Sequence, residues 1–440
     1  MMAFILFGLF IVLVMLRLPI AVALAISSIA VLFTGSGMFG LELVADIMYS
    51  SVSKFTLLAI PFFILAGVIL EQAGISKRLI DFAQSLVGHR KSGIVFVTVM
   101  TAIFFAAISG SGPATVAAIG GILIPAMVKN GYKKETAGGL VASSGAIGII
   151  IPPSIAFIVF AVVAGDQIPV SIGRMFIAGV IPGLLLGVGF IVAAMYVRWK
   201  QERTAGPLLS VAVRKRATLM EQLKAFLGAF WGLLIPIIIL GGIYGGFFTP
   251  TEAAVVAVFY GLFVGFFVYR ELNMKKLFDI LVSASVQTAV VMFIVSAASV
   301  YAYIITTEQI ARQISTAMLS ISDNPIIILL LVNILLLIAG MFIDAISAYY
   351  IFIPILLPIM ISFDVDPTVF GVFMTVNLAI GLFTPPVGLN LFVAAGISGN
   401  SIGEISKGVF PFVVSSVIIL LLITYIPQLS TFLPDLLKVK

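Results

Sequence analysis

Apolar runs of about twenty residues recur along the whole 440-residue chain, and no other feature narrows its fold so far. A helix of that length crosses the ~30 Å hydrocarbon core of a bilayer, where every backbone amide and carbonyl must find a partner inside the protein. With 62% apolar and 10% charged residues and a mean hydropathy of +1.27, the chain reads as an all-α polytopic membrane protein. The alternating ten-residue strands of an outer-membrane barrel are absent. The opening "MMAFILFGLFIVLVML" lacks a basic n-region and a small-residue cleavage site, so it is expected to be a first span and not a removed signal. The chain has no cysteine, which excludes disulfides, thiolate metal sites and cysteine nucleophiles. A net charge of +6 belongs mostly to loops of a membrane protein, and nothing points to nucleic acid.

Most of the 24 Lys and Arg residues fall in clusters at Lys77–Arg78, His89–Lys91, Lys129–Lys134, Arg198–Lys224 and Arg270–Lys276. Segments 35–54, 165–172, 248–252, 306–325 and 362–368 are poor in basic residues and carry Glu42, Asp46, Asp166, Glu252, Glu308, Asp323, Asp364 and Asp366. The excess of positive charge on cytoplasmic loops puts the first set inside. The stretch "AISGSGPATVAA", 107–118, interrupts an apolar run between two such basic loops. A segment that begins and ends on one side is a re-entrant hairpin, with its Gly- and Pro-rich tip at depth. Irregular backbone at that depth survives only where protein buries it or a wet cavity lies beside it.

An internal repeat is legible at a shift of 233 residues: "AIGIIIPP" (146–153) matches "AIGLFTPP" (379–386), and Pro125 matches Pro358. Ser111 falls on Asp344, and Ser144 on Asn377. The first half covers 1–216, with spans in 2–72, a hairpin over 93–128, a broken span over 137–164, a span over 173–198 and a basic linker reaching 224. The second covers 225–440, with spans in 226–304, a hairpin over 326–361, a broken span over 369–397 and a final span over 408–434. Non-basic loops flank the second hairpin, so it enters from outside and the halves have inverted topology. Inverted repeats with broken helices are an architecture of secondary transporters. The two tips and two breaks are expected to meet near the midplane.

The proline pairs Pro152–Pro153 and Pro385–Pro386 break the helices and free carbonyls. Carbonyl, hydroxyl and carboxylate oxygens suit a hard cation such as Na⁺, and half-helix N-termini suit an anionic substrate. Ser109, Gly110, Ser111 and Thr115 are candidate ligands at the first tip, against the usual habit of membrane hydroxyls of bonding their own helix. Asp344 is a carboxylate within a long apolar run, and its compensating partner is a sodium ion or a proton; Ser347 lies one turn on. Ser143, Ser144, Gly145 and Gly148 bracket the first break, Asn377 and Thr384 the second, and Asn390 follows it as a candidate substrate contact. For the small residues the competing role is close helix packing.

"SGSGPATVAAIG", "GYKKETAGGLVASSGAIGIIIPPS", "GLFTPPVGLNLFVAAGIS" and "TPTEAAVVAVFYGL" together resemble the large membrane subunit of TRAP (tripartite ATP-independent periplasmic) transporters. The likeness runs over nearly the whole chain. It implies an elevator-type, Na⁺-driven importer of organic acids (sialic acid, C4-dicarboxylates or other carboxylates) in the bacterial inner membrane. It also implies two partners on separate chains, a small four-helix membrane subunit and a periplasmic substrate-binding protein. Two or more Na⁺ sites follow from the resemblance. One is the Ser109–Gly112 tip with Ser143, Gly145 and Gly148; the other is Asp344 and Ser347 with Asn377, Gly381 and Thr384. Substrate contacts would include Ser111, Thr115, Ser144, Asn377 and Asn390.

A stand-alone carboxylate or oxyanion transporter of the same superfamily would share the repeat and hairpins and need no binding protein. A membrane-embedded enzyme would need a nucleophile, a metal cluster or paired acid and base at depth, and the apolar segments offer one clear carboxylate without cysteine or histidine. No Walker motif is present, so ATP does not drive this chain directly.

Overall fold

The computed structural model describes residues 2–90, 92–205 and 216–439. Lys91 and the stretch 206–215, within the basic link between the halves, lie outside the described residues. Regular structure among the described residues is helical, as apolar segments that pair their own amides require. The first half runs α1 (Met2–Met15), α2 (Ile20–Val52), α3 (Ala59–Gln72) and α4 (Ile75–Val87). The hairpin α5 (Gly93–Ser109) and α6 (Gly112–Lys129) follows, then the broken pair α7 (Lys134–Gly145) and α8 (Ile155–Ala164). Short α9 (Ile172–Ala178) leads into α10 (Val180–Ala205).

The second half repeats the order with α11 (Leu219–Tyr244), α12 (Pro250–Phe263), α13 (Met274–Thr307) and α14 (Ile310–Ile321). Its hairpin is α15 (Pro325–Gly340) and α16 (Ala345–Ser362), and its broken pair is α17 (Pro367–Gly381) and α18 (Leu389–Ser398). It closes with α19 (Ile402–Tyr425) and α20 (Gln428–Leu436). A shift of 233 residues carries α6 onto α16 at both ends and brings the start of α7 to the start of α17. Among the described residues, eight helical segments are long and apolar enough to cross a membrane. The motif at 249–262 is a capping box: Thr249 Oγ1 accepts from the Glu252 amide at 3.3 Å while the Glu252 carboxylate takes the Thr249 amide at 2.8 Å.

The structure departs from the sequence expectation at several ends. Segment 35–54 was expected to be a loop, yet α2 continues to Val52, turning at Gly37 (φ 62°). Glu42 and Asp46 stay exposed one turn apart, while the other face packs on α13 and Ser296 Oγ donates to the Met48 carbonyl at 3.1 Å. Acidic residues there mark a wetted helix face and not a loop. The loops around 77–91 and 306–325 likewise hold α4 and α14; on α4, Ile75, Leu79 and Ala83 turn inward and Lys77 outward. The final span stops at Tyr425 because Pro427 cannot continue it, and α20 is a separate element. Arg174 ties α20 down, with Nη2 at 3.0 Å from Asp435 and Nη1 donating to the Val439 carbonyl at 2.9 Å.

Two bodies result. One comprises α1–α4 with α11–α13. The other gathers both hairpins and both broken pairs with α10 and α19. Inside the second body Phe160 of α8 meets Tyr349 of α16 and Phe370 of α17 edge-on, with centroids 5.7 and 5.8 Å apart, so residues of both halves share one core. α13 has 34 residues and, at about 51 Å, outruns the hydrocarbon core. It packs on α2 and α3 and also on α16, so it forms much of the seam between the bodies.

Candidate functional site

The first tip reverses the chain in two residues. Gly110 ends α5 in the left-handed region (φ 60°), Ser111 is extended (φ −136°), and Pro113 opens α6. Ser109 Oγ lies 2.9 Å from Thr115 Oγ1, which in turn donates to the Ser111 carbonyl at 2.8 Å, so hydroxyls lace the two limbs together. The first break sits directly against this tip. A Cβ on Gly148 would come within 2.6 Å of both the Ser111 carbonyl oxygen and Thr115 Oγ1, and one on Gly110 within 2.7 Å of the Pro153 carbonyl. Glycine is needed at both positions for contact, and at Gly110 for its dihedral as well.

The predicted residues of the first cluster divide on inspection. Ser109, Ser111, Thr115 and Gly148 are brought together. Ser143 turns its hydroxyl back to the Gly139 carbonyl at 2.8 Å, the ordinary role of a membrane serine. Ser144 Oγ is buried without a partner. Asn390, from the other half, belongs to this cluster: its amide donates to the Ala142 carbonyl at 2.9 Å while its own oxygen is buried without a partner. Cβ atoms added at Gly112 and Gly145 would stand 3.2 and 3.1 Å from that side chain.

At the second tip Asp344 is half-buried and caps α16. Oδ1 accepts from the Ile346 and Ser347 amides at 2.9 and 3.0 Å, and Oδ2 accepts from Ser347 Oγ at 2.7 Å. The carboxylate is therefore not left bare at depth; three donors and the positive end of α16 hold it in place. The second break approaches through Gly381, which packs on the Gly340 backbone at the end of α15. Among the described residues no hydrogen bond joins Asp344 to Asn377 or Thr384. Asn377 lies one turn before Gly381 on the face of α17 that meets α15, so its amide donates to Asn333 Oδ1 at 2.7 Å and to the Phe373 carbonyl at 2.9 Å. Asn333 continues the network to Thr424 on α19 at 3.1 Å. Thr384 bonds back to the Ile380 carbonyl at 2.6 Å. Asn377 Oδ1 is nonetheless buried without a partner, as Ser144 Oγ is at the corresponding position of the first half. The proline pairs lie in the non-helical stretches 150–154 and 382–388, and both Pro–Pro peptide bonds are cis.

Both tips line one cavity of about 740 Å³ at the seam between the two bodies. Ser109 to Pro113, Asp344 to Ile346 and Leu382 form one wall. Glu71 and Gln72 of α3 and Ser283 and Gln287 of α13 form the facing wall. Its charged groups are Glu71 and Asp344, and no Lys, Arg or His among the described residues lines it. Reasoning from sequence missed Glu71, Gln72, Ser283, Gln287 and Asn333. Ser283 and Gln287 were detectable as a polar pair one turn apart in an apolar run, and Asn333 as a lone amide in "IIILLLVNILLLIAG".

A cavity between packed helices and a pair of hairpin tips is a geometry for carrying solute, and comparison with known proteins agrees. The chain matches the family model described as "Tripartite ATP-independent periplasmic transporter, DctM component" over residues 7–429. It is 38% identical to the C4-dicarboxylate TRAP transporter large permease protein DctM of Rhodobacter capsulatus, covering 99% of this chain and 100% of that one. It is 44% identical to the isethionate TRAP transporter permease protein DctMQ of Oleidesulfovibrio alaskensis, over 97% of this chain and 66% of that longer protein. In fold it is similar to the YdaH transporter of Alcanivorax borkumensis, with a TM-score of 0.62 at 14% identity over 89% of this chain and 90% of that one. The relatives are permeases and not enzymes. With the family's motifs at both tips and both breaks, and its model spanning both halves, the chain belongs to the tripartite ATP-independent periplasmic transporters as a large membrane subunit.

Proposed function

We propose that the chain imports a small organic anion with Na⁺ across the bacterial inner membrane, together with a small membrane subunit and a periplasmic binding protein. The observation that carries this reading is the charge of the cavity: two hairpin tips and two carboxylates, Asp344 and Glu71, and no basic side chain. An anion enters such a space only if cations accompany it, because like charges at low dielectric repel strongly. Na⁺ fits the donors present. One set is Ser109 Oγ, the Ser111 carbonyl, Thr115 Oγ1 and the unpartnered Ser144 Oγ. The other is Asp344 with Ser347, while the unpartnered Asn377 Oδ1 offers a further oxygen on α17. Ions held there would turn the tips positive and let them receive a carboxylate or, as the isethionate relative suggests, a sulfonate.

The hairpin body would move against α1–α4 and α11–α13 in elevator fashion, carrying ions and substrate together. Glu71 and Gln72 end α3 next to the basic segment at Lys77, which supports a cavity open towards the cytoplasmic end on this reading. In that position Glu71 would repel the anion and speed its release. Glu71→Gln should slow maximal uptake by about fivefold, the loss of ~1 kcal/mol of repulsion, while leaving the Na⁺ concentration for half-maximal uptake unchanged. A rise in Na⁺ requirement instead would make Glu71 an ion ligand.

The three-part reading is tested by reconstitution. An organic acid is chosen by its thermal stabilisation of the binding protein, and uptake is then followed in proteoliposomes holding both membrane subunits. Uptake should require the binding protein. Equal uptake without it would favour a stand-alone carboxylate transporter.

A further inference from the structure

Asn377, one turn before the end of α17, is fully buried, and its partners dictate which way its amide points. Nδ2 donates to the Phe373 carbonyl at 2.9 Å and to Asn333 Oδ1 at 2.7 Å. A backbone carbonyl can only accept, so turning the amide over would set oxygen against oxygen at Phe373. The Asn333 end is fixed in the same way. Thr424, near the end of α19, has one hydroxyl proton, and the Leu420 carbonyl takes it at 2.9 Å, closer than Asn333 Oδ1 at 3.4 Å. The Thr424 oxygen then accepts from Asn333 Nδ2 at 3.1 Å. Asn333 must therefore present its oxygen, and not its nitrogen, to Asn377. Three side chains from α15, α17 and α19, none more than 3% exposed, thus form one directed chain anchored on a helical carbonyl at each end. Its consequence is that Asn377 Oδ1 turns away from the chain and is buried without a partner.

We propose that Asn333 and Thr424 are positioning residues that hold the Asn377 oxygen free for a Na⁺ ion at the second break. The inference rests on the Na⁺-coupled reading above and gives a role to two residues outside the ion site. A network built only to pin three helices together would close on itself, because a buried acceptor left unmade is costly. This one spends both N–H groups of Asn377 on protein acceptors and leaves the oxygen, the atom a hard cation takes. The repeat argues against an accident of packing, since Ser144 Oγ at the corresponding position of the first half is also buried without a partner. Asn377 is not among the walls of the cavity at the tips. A bulky organic anion there does not reach it, whereas a bare ion is small enough to enter the packed interior behind.

The test is the melting temperature of the full-length protein titrated with NaCl, choline chloride holding the ionic strength constant, with uptake followed in the same variants. Thr424→Val removes the acceptor that orients Asn333 at nearly constant volume, and Asn333→Leu removes the link itself. Each should raise the Na⁺ concentration for half-maximal stabilisation, and for half-maximal uptake, by about fivefold, the worth of one hydrogen bond. Thr424→Ser keeps the hydroxyl and should keep the wild-type Na⁺ dependence. In an Asn377→Ala background, where the oxygen is already gone, Thr424→Val should add no further shift. A lower melting temperature with unchanged Na⁺ dependence in Thr424→Val and Asn333→Leu would reduce the network to helix packing and overturn the proposal. So would additive shifts from Thr424→Val and Asn377→Ala. A wild type that neither melts higher nor transports faster with Na⁺ would overturn the coupling reading itself, and this inference with it.

Discussion

Asp344→Asn should remain folded while losing its response to Na⁺. In the wild type Oδ1 takes two backbone amides of α16 and Oδ2 takes the Ser347 hydroxyl. Asparagine keeps the capping oxygen and is about as good an N-cap as aspartate, so stability without Na⁺ should stay near that of the wild type. What is lost is the charge. If the carboxylate is an ion ligand, its removal should cost ~1.5–3 kcal/mol of Na⁺ affinity, raising the Na⁺ needed for half-maximal uptake about tenfold to hundredfold. A ligand that binds the folded state raises stability by mass action, so the rise in melting temperature with Na⁺ should also shrink. Asp344→Ala is the control for capping: it should lose a further ~1 kcal/mol with or without Na⁺. Melting curves of wild type and Asp344→Asn that shift equally with Na⁺ would remove Asp344 from the ion site.

Gly381→Ala should abolish transport with the protein still inserted. An added Cβ would lie 2.6 Å from the Gly340 Cα and closer still to the Gly340 carbonyl, and neither wall is a side chain that can turn away. Relief requires α17 and α15 to move apart, at a cost of about 1–3 kcal/mol. Gly148→Ala should behave alike, since its Cβ would meet the Ser111 carbonyl. These two glycines occupy corresponding positions in the two halves, each packing a break onto a hairpin. Gly121→Ala, on α6 of the first hairpin with open space around it, should transport normally. Uptake by Gly381→Ala within twofold of that control would mean that break and hairpin need not stay in register.

The first hairpin was legible because its cause is local. Gly110, Pro113 and basic residues at both ends force a short re-entrant path whatever surrounds it. The repeat was legible for the same reason, since "AIGIIIPP" and "AIGLFTPP" impose a break on any helix. Which break residues face which tip was not, because that depends on helix rotation. Asn377 was expected beside Asp344 and instead meets Asn333, one turn before the Gly381–Gly340 contact. Asn390 was read as a substrate contact beyond the second proline pair, and which residue of the first half it meets, the Ala142 carbonyl 248 residues away, could not be read from its position. Glu71 looked like the end of a span and the start of a loop; only the placement of α3 against the tip, with Gly67 3.5 Å from the Ser109 Cα if given a Cβ, makes it a cavity wall. A charge pattern reports sidedness and not whether a segment is coiled, which is why α2, α4 and α14 exceeded expectation.

The most direct measurement is uptake by the reconstituted membrane subunits, supplied with loaded binding protein, under one gradient at a time. With Na⁺ outside and choline inside, the organic acid should accumulate. With choline on both sides and an inward proton gradient of equal size, accumulation should cease, because nothing neutralises Asp344 and Glu71 as the anion enters. Full-rate uptake in the absence of Na⁺ would contradict the account.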